Sequence, residues 1–202
     1  SFMKRHFLLW TCYLFLTGIT AGLVAFCLTG AIHLIQTLSF GFKQGSFSTM
    51  IASIPPYRRA ISLVLAGLLA GVGWHWLAKK GKVIQSIQQT LHDNTLFSPW
   101  TQFWHGWLQL TTVSMGAPVG REGASREVAV AMTSLWSQKC NLSKKDQKLL
   151  LACASGAALG AVYNAPLATI IFILEVILNC WSLNNAYACL LYTSPSPRDL
   201  ST

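Results

Sequence analysis

Hydrophobic positions fall in long stretches separated by short charged clusters. Lys4 and Arg5 precede an apolar run from Phe7 to Leu38 that contains no charged residue except His33 when protonated. As a helix that run is about 48 Å long, more than a ~30 Å hydrocarbon core requires, so it is expected to tilt or to pass one interface. Gly18-xxx-Gly22 offers a small-residue face for close helix packing, with Thr17 and Thr20 placed to bond across it. A polar break from Lys43 to Arg59 holds Pro55-Pro56, which ends helices. The second span runs from Ala60 to Ala78 past Gly67, Gly71 and Gly73, and closes on Trp74 and Trp76 beside Lys79 and Lys80, an interfacial anchor.

The later segments are shorter. Val83–Leu91 is amphipathic and too short to cross, and Phe97–Val113 is rich in Trp and Gln. The chain then breaks at Ser114–Gly123. A helix is expected over Ala124–Trp136, a loop over Lys139–Lys148, a helix over Leu149–Val162 and a last apolar helix from Pro166 to Cys180. Irregular backbone at membrane depth survives only where protein buries it or a polar cavity meets it. The unequal pieces therefore predict an all-α integral membrane fold, a multi-span bundle with broken and tilted helices, of the transporter or channel kind.

Composition narrows the class. Charged residues make up 10% of the chain against about 25% in soluble domains, which excludes a soluble, disordered or collagen-like protein. The net charge of +9 sits in short clusters, a pattern of cytoplasmic loops and not of a nucleic-acid-binding face. Lys4/Arg5, Lys79/Lys80/Lys82 and Lys139/Lys144/Lys145/Lys148 are placed inside, and Arg58/Arg59 then lie outside, against the rule. The six acids are Asp93, Glu122, Glu127, Asp146, Glu175 and Asp199. The three glutamates lie in or beside apolar segments, where ionisable groups are costly and usually functional. The cysteines lack metal spacing and read as packing residues. The five histidines show no HExxH or paired spacing, so neither a metal cofactor nor an intramembrane enzyme is expected. A scaffold subunit without transport is a third class.

The break at Gly116–Gly123 carries the chemistry. Glycines leave amide groups unshielded, and the following helix start adds orphan N–H donors and a partial positive charge. Together they form an anion site that needs no basic ligand. Glu122 within it can occupy the anion's position when ionised and leave it when protonated. A solvated Arg121/Glu122 pair in an interfacial loop is the alternative that composition leaves open. Arg126/Glu127, one turn on, reads as a structural ion pair, and Ser114 and Ser125 are weaker anion-donor candidates.

Gly120-Arg121-Glu122-Gly123, followed by Gly160-Ala161-Val162-Tyr163-Asn164-Ala165-Pro166-Leu167-Ala168 and Phe172-Ile173-Leu174-Glu175, resembles the CLC family of chloride channels and proton-coupled antiporters. The resemblance covers most of residues 1–188. It implies that Glu122 is the external gating glutamate and that Gly120, Arg121, Gly123 and Ala124 line the anion sites, with Ala124 where the family has proline. Glu175 matches the first of two adjacent acids in the antiporters. The second, the internal proton acceptor, is Val176 here, as in channel-type members. The family's Gly-Ser-Gly-Ile-Pro selectivity motif falls near Gly81, Lys82, Val83, Ile84 and Gln85, where only Gly81 and Ile84 agree. The pattern Gly-Arg-Glu-x-Ala-x-Arg-Glu also resembles the fluoride-exporting branch.

The implied function is glutamate-gated movement of chloride or another small anion, channel-like or weakly coupled to protons, with fluoride/proton antiport as the alternative. The implied partners are the anion, protons, membrane lipid and a second subunit in a homodimer, with no nucleic acid. The implied location is the cell membrane, multi-pass, in a bacterial inner membrane. Residues 1–188 are expected to be the first half of an inverted-repeat fold. The Ser/Pro-rich segment 189–202 is expected to be a translated sequencing adaptor and is set aside from the fold.

Overall fold

A computed structural model describes residues 2–41, 54–79, 98–140, 142–177 and 186–187. The degenerate selectivity motif, Gly81–Gln85, lies outside the described residues, as does the amphipathic stretch around it. The described elements are helices: α1 (Phe2–Phe40), α2 (Pro56–Lys79), α3 (Pro99–Ser114), α4 (Glu122–Ser137), α5 (Lys144–Tyr163) and α6 (Pro166–Phe172), the last continuing as a π-helical turn over Ile173–Ile177. Two are long and apolar enough to cross a membrane, Leu8–Phe40 within α1 and α2 itself.

Helix α1 buries one stripe, Leu14, Thr17, Ala21, Val24 and Leu28, at the three- and four-residue spacing of a single helix face. Leu14 packs with Val130, Leu150, Leu151 and Cys153, while Ala21, Val24 and Leu28 pack with Leu110, Ala124, Val128 and Ala158. Gly22, of the expected Gly18-xxx-Gly22 face, is exposed and meets no neighbour among the described residues. Thr17 and Thr20 do not bond across helices either. Each donates to the carbonyl four residues back, Tyr13 and Leu16, at 2.8 and 2.7 Å. In an apolar setting the nearest backbone carbonyl satisfies a hydroxyl without waiting for a partner helix.

Helix α1 ends at Gly41, whose φ of +72° favours glycine, and whose N–H donates to the Thr37 carbonyl. Arg58, at the start of α2, donates from Nε to the Ser39 carbonyl at 3.1 Å. The guanidinium thus serves the carbonyl end of α1, where a cation is favourable. That gives Arg58 a local reason to stand against the positive-inside rule.

Helices α3 and α4 approach closely because Gly106 has no side chain. A methyl there would stand 2.9 Å from Val128 Cγ2 and 3.1 Å from the Ala124 carbonyl oxygen. Gly73 likewise admits Leu108 of α3 against α2. Helices α4 and α5 bury small residues over most of their surfaces, among them Ala124, Ala129, Ala131, Ala152, Ala154 and Ala158. Between apolar helices in lipid, close van der Waals packing of small residues is what holds the pair.

Helix α5 begins at Lys144, inside the stretch expected to be loop. Ser143 Oγ accepts from the Asp146 N–H at 3.1 Å and donates to Asp146 Oδ2 at 2.6 Å, a cap that extends the helix through its lysines. The last helix also departs from expectation, changing at Ile173 from α to π geometry.

Successive helices run up and down. One end of the bundle collects the starts of α1, α3 and α5 and the ends of α2 and α4, with Lys79, Lys139, Lys144, Lys145 and Lys148. The other end holds the α3–α4 break, the end of α5 and the start of α6. Ser62 of α2 anchors that break by donating to the Met115 carbonyl at 2.8 Å.

Candidate functional site: the helix start at Glu122

Helix α3 stops at Ser114 and the backbone turns through Gly116, whose φ of +104° suits glycine. The Gly116 N–H donates to the Val113 carbonyl, and the Ala117 N–H to that of Thr112. Pro118, Val119, Gly120 and Arg121 are exposed, and α4 begins at Glu122 with no side-chain cap from Arg121. The amides of Glu122, Gly123 and Ala124 belong to the first turn, which has no intrahelical acceptors, and they point with the positive end of the helix dipole toward the break.

The Glu122 side chain folds back over Gly120, its carboxylate filling the space a Cβ would occupy there. The carboxylate is therefore held at the mouth of its own helix, where an anion is most stabilised. Tyr163, at the end of α5, is a neighbour of Glu122. Just beyond, Asn164 adopts a left-handed conformation at φ 53° and its N–H donates to the Gly160 carbonyl. Ala165 then leads into Pro166, the first residue of α6. The two resemblance-bearing segments thus meet at one end of the bundle.

The structure brings together Gly120, Glu122 and Gly123 and places Arg121 beside them, exposed. The Ala124 side chain turns away into the α3–α4 contact, so only its amide faces the break. Ser114 donates to the Leu110 carbonyl at 2.7 Å and Ser125 to that of Glu122 at 3.0 Å, so neither hydroxyl proton is directed at an anion. Glu175 lies apart on the π turn, exposed, roughly 13 Å further along from Pro166.

The expected Arg126/Glu127 ion pair is replaced by two separate contacts. Glu127 Oε2 meets His105 Nδ1 at 2.5 Å, and Glu127 Oε1 accepts from Gln109 Nε2 at 3.4 Å. Arg126 turns the other way, donating from Nε to Ser155 Oγ at 3.0 Å with its guanidinium 5.5 Å from the Phe172 ring centroid. Adjacent helical residues point about 100° apart, which separates the two charges. His105 and Gln109 were not singled out from the sequence. Their four-residue spacing is visible there, but the glutamate they meet is not. Tyr163 stood inside a recognised segment without a role.

The described residues form a helical bundle in which two helices are long and apolar enough to cross a membrane and a glutamate stands on an open helix start. The sequence profile of the voltage gated chloride channel family matches residues 66–194, and the chain belongs to that family. It is similar to a Citrobacter koseri protein named voltage-gated ClC-type chloride channel ClcB, 28% identical over 164 residues covering 79% of this chain and 39% of the relative. A protein of the same name from an Escherichia coli O81 strain is 29% identical over 171 residues, 81% of this chain and 41% of the relative. The chain spans about two fifths of the length of the curated relatives it matches.

Proposed function

We propose that this chain supplies the gate of an anion pathway across a membrane, with chloride as the ion. The observation that carries the reading is the Glu122 carboxylate seated over Gly120 at the uncapped start of α4. Ionised, it occupies the ground on which a permeating anion would rest. Protonated, it loses the attraction of the helix start and frees the site. The names of the relatives supply chloride as the ion. With the lysine-bearing end facing the cytoplasm, the break opens outward, and the relatives' bacterial origin suggests an inner membrane.

Movement is channel-like, with weak or absent proton coupling. Val176 carries no proton, and Glu175 is exposed at the far side of the π turn from buried Ile173 and Leu174. The working protein is a homodimer in which each subunit has its own path, and cross-linking in native membranes tests that part.

Flux from liposomes containing the full-length protein tests the gate. Glu122→Gln, which mimics the protonated carboxyl, is expected to conduct at all pH values and to lose pH dependence. An unchanged pH response in this variant removes Glu122 from the mechanism. Comparing chloride with fluoride in the same liposomes tests the ion, since much faster fluoride flux replaces this reading with fluoride export.

A further inference from the structure

Arg126 is the residue the gate does not explain. It sits half-buried in α4, one turn beyond Glu122 and on the same helix face, since residues four apart stand about 5–6 Å from one another. Its contacts are a serine hydroxyl and an aromatic ring, Ser155 and Phe172, neither of which carries charge. Among the described residues, no carboxylate forms an ion pair with it. The adjacent Glu127 is committed to His105.

A guanidinium inside a membrane bundle without a paired acid is costly to keep. Arginine remains charged, so the cost is not relieved by losing a proton. The fork also has five donors, of which Nε–H alone is engaged by Ser155. The four on the terminal nitrogens are free to meet an anion that enters.

The surroundings line up with the gate. Ser155, Leu159 and Tyr163 recur every four residues along one face of α5. Tyr163 at one end of that face neighbours Glu122, Ser155 two turns away meets Arg126, buried Leu159 lies between them, and Phe172 of α6 closes the side.

We infer that Arg126 forms an inner anion site one helical turn beyond Glu122, which takes a small monovalent anion such as a halide and receives it after the gate opens. Ser155 orients the guanidinium by accepting from Nε, and Phe172 supports it through its ring face. The transported anion is the counter-ion that the fixed charge lacks. This inference rests on the reading of Glu122 as the gate.

The test is the chloride concentration that half-saturates flux, measured in liposomes with the full-length protein. Arg126→Gln is expected to raise it about tenfold or more, the scale of a lost charge-assisted hydrogen bond. Arg126→Lys, which keeps the charge and loses the fork, and Ser155→Ala are each expected to raise it roughly threefold. A residue that only supports the fold would lower maximal flux by reducing active protein and leave half-saturation where it was. Half-saturation within about twofold of wild type in a folded Arg126→Gln protein overturns the inference. If that variant does not reach the membrane, the other two decide: a rise in either supports the site, and no change in both overturns it. Glu122→Gln separates the two ideas. A lost pH response there with unchanged half-saturation in the Arg126 variants keeps the gate and discards the inner site. A retained pH response with shifted half-saturation discards the gate and keeps Arg126 as an anion ligand.

Discussion

The contact between His105 and Glu127 ties α3 to α4 directly behind the gate, and its two partners should not be equally dispensable. Each side chain is 15% exposed, and Nδ1 and Oε2 stand 2.5 Å apart. Removing the histidine by His105→Leu leaves a carboxylate between helices with only Gln109 Nε2, at 3.4 Å, to donate to it. Breaking a buried pair in this way costs about 3–5 kcal/mol, and the residual exposure here brings the expectation just below that range, to about 2–3 kcal/mol. Removing the glutamate by Glu127→Leu is less damaging. Gln109 Nε2 already lies 3.3 Å from His105 Nδ1 and keeps a partner for the imidazole. That loss amounts to about 1 kcal/mol, the net worth of an ordinary hydrogen bond. The double variant removes both partners together, so it should be no worse than the histidine variant alone, giving a coupling of about 1–2 kcal/mol. Reversible unfolding in mixed micelles, run as a four-protein cycle, measures all three quantities. Equal single effects that sum in the double variant would refute the asymmetry and the pairing behind it.

Gly106→Val forces a side chain into space already taken by Val128 Cγ2 and the Ala124 carbonyl, and should destabilise the α3–α4 pair by about 1–3 kcal/mol in micelle unfolding. Gly116→Ala meets no such crowding, its nearest neighbour being Phe40 Cζ at 3.4 Å, but the φ of +104° strains an L-residue. A loss of about 1–2 kcal/mol is expected in the same measurement.

The spans of α1 and α2 were legible because uninterrupted apolar runs of that length have few other uses. Which face of α1 turns inward was not. Apolar residues surround the helix, so Leu14, Thr17, Ala21, Val24 and Leu28 stand out only once α4 and α5 are in place. The glycine pair at 18 and 22 was the stronger local signal, yet Gly22 lies off the buried stripe. The start of α5 was hidden by charge: three lysines and an aspartate look like loop, yet Ser143 and Asp146 stand three apart, the spacing of a helix cap. Glu122 over Gly120 could be anticipated, since both residues lie within one short segment. His105, Gln109 and Glu127 meet across two helices, and their pairing depends on the closeness that Gly106 permits.

Polar capacity inside the bundle is nearly all committed before an ion arrives, and this confines where an ion can go. The hydroxyls of Thr17, Thr20, Thr29, Thr37, Thr111, Thr112 and Ser114 each donate to the carbonyl four residues back. Ser125 and Ser137 do the same over three residues, and Ser62 is held by the Met115 carbonyl. A hydroxyl with its proton so engaged presents lone pairs, which repel an anion. Of the described acids, Asp146 caps α5 and Glu127 holds α3 to α4, so neither is available to a passing proton without loosening the fold. Among the described residues, the donors left over include the first turn of α4 and the Arg126 fork at the seam with α5, and further along α4 the buried Thr133 hydroxyl and Trp136 indole N–H. On the reading of Glu122 as the gate, an anion that passes its seat has its next favourable contact at donors carried by α4, because the hydroxyls of α1 and α3 named above are bonded to their own helices.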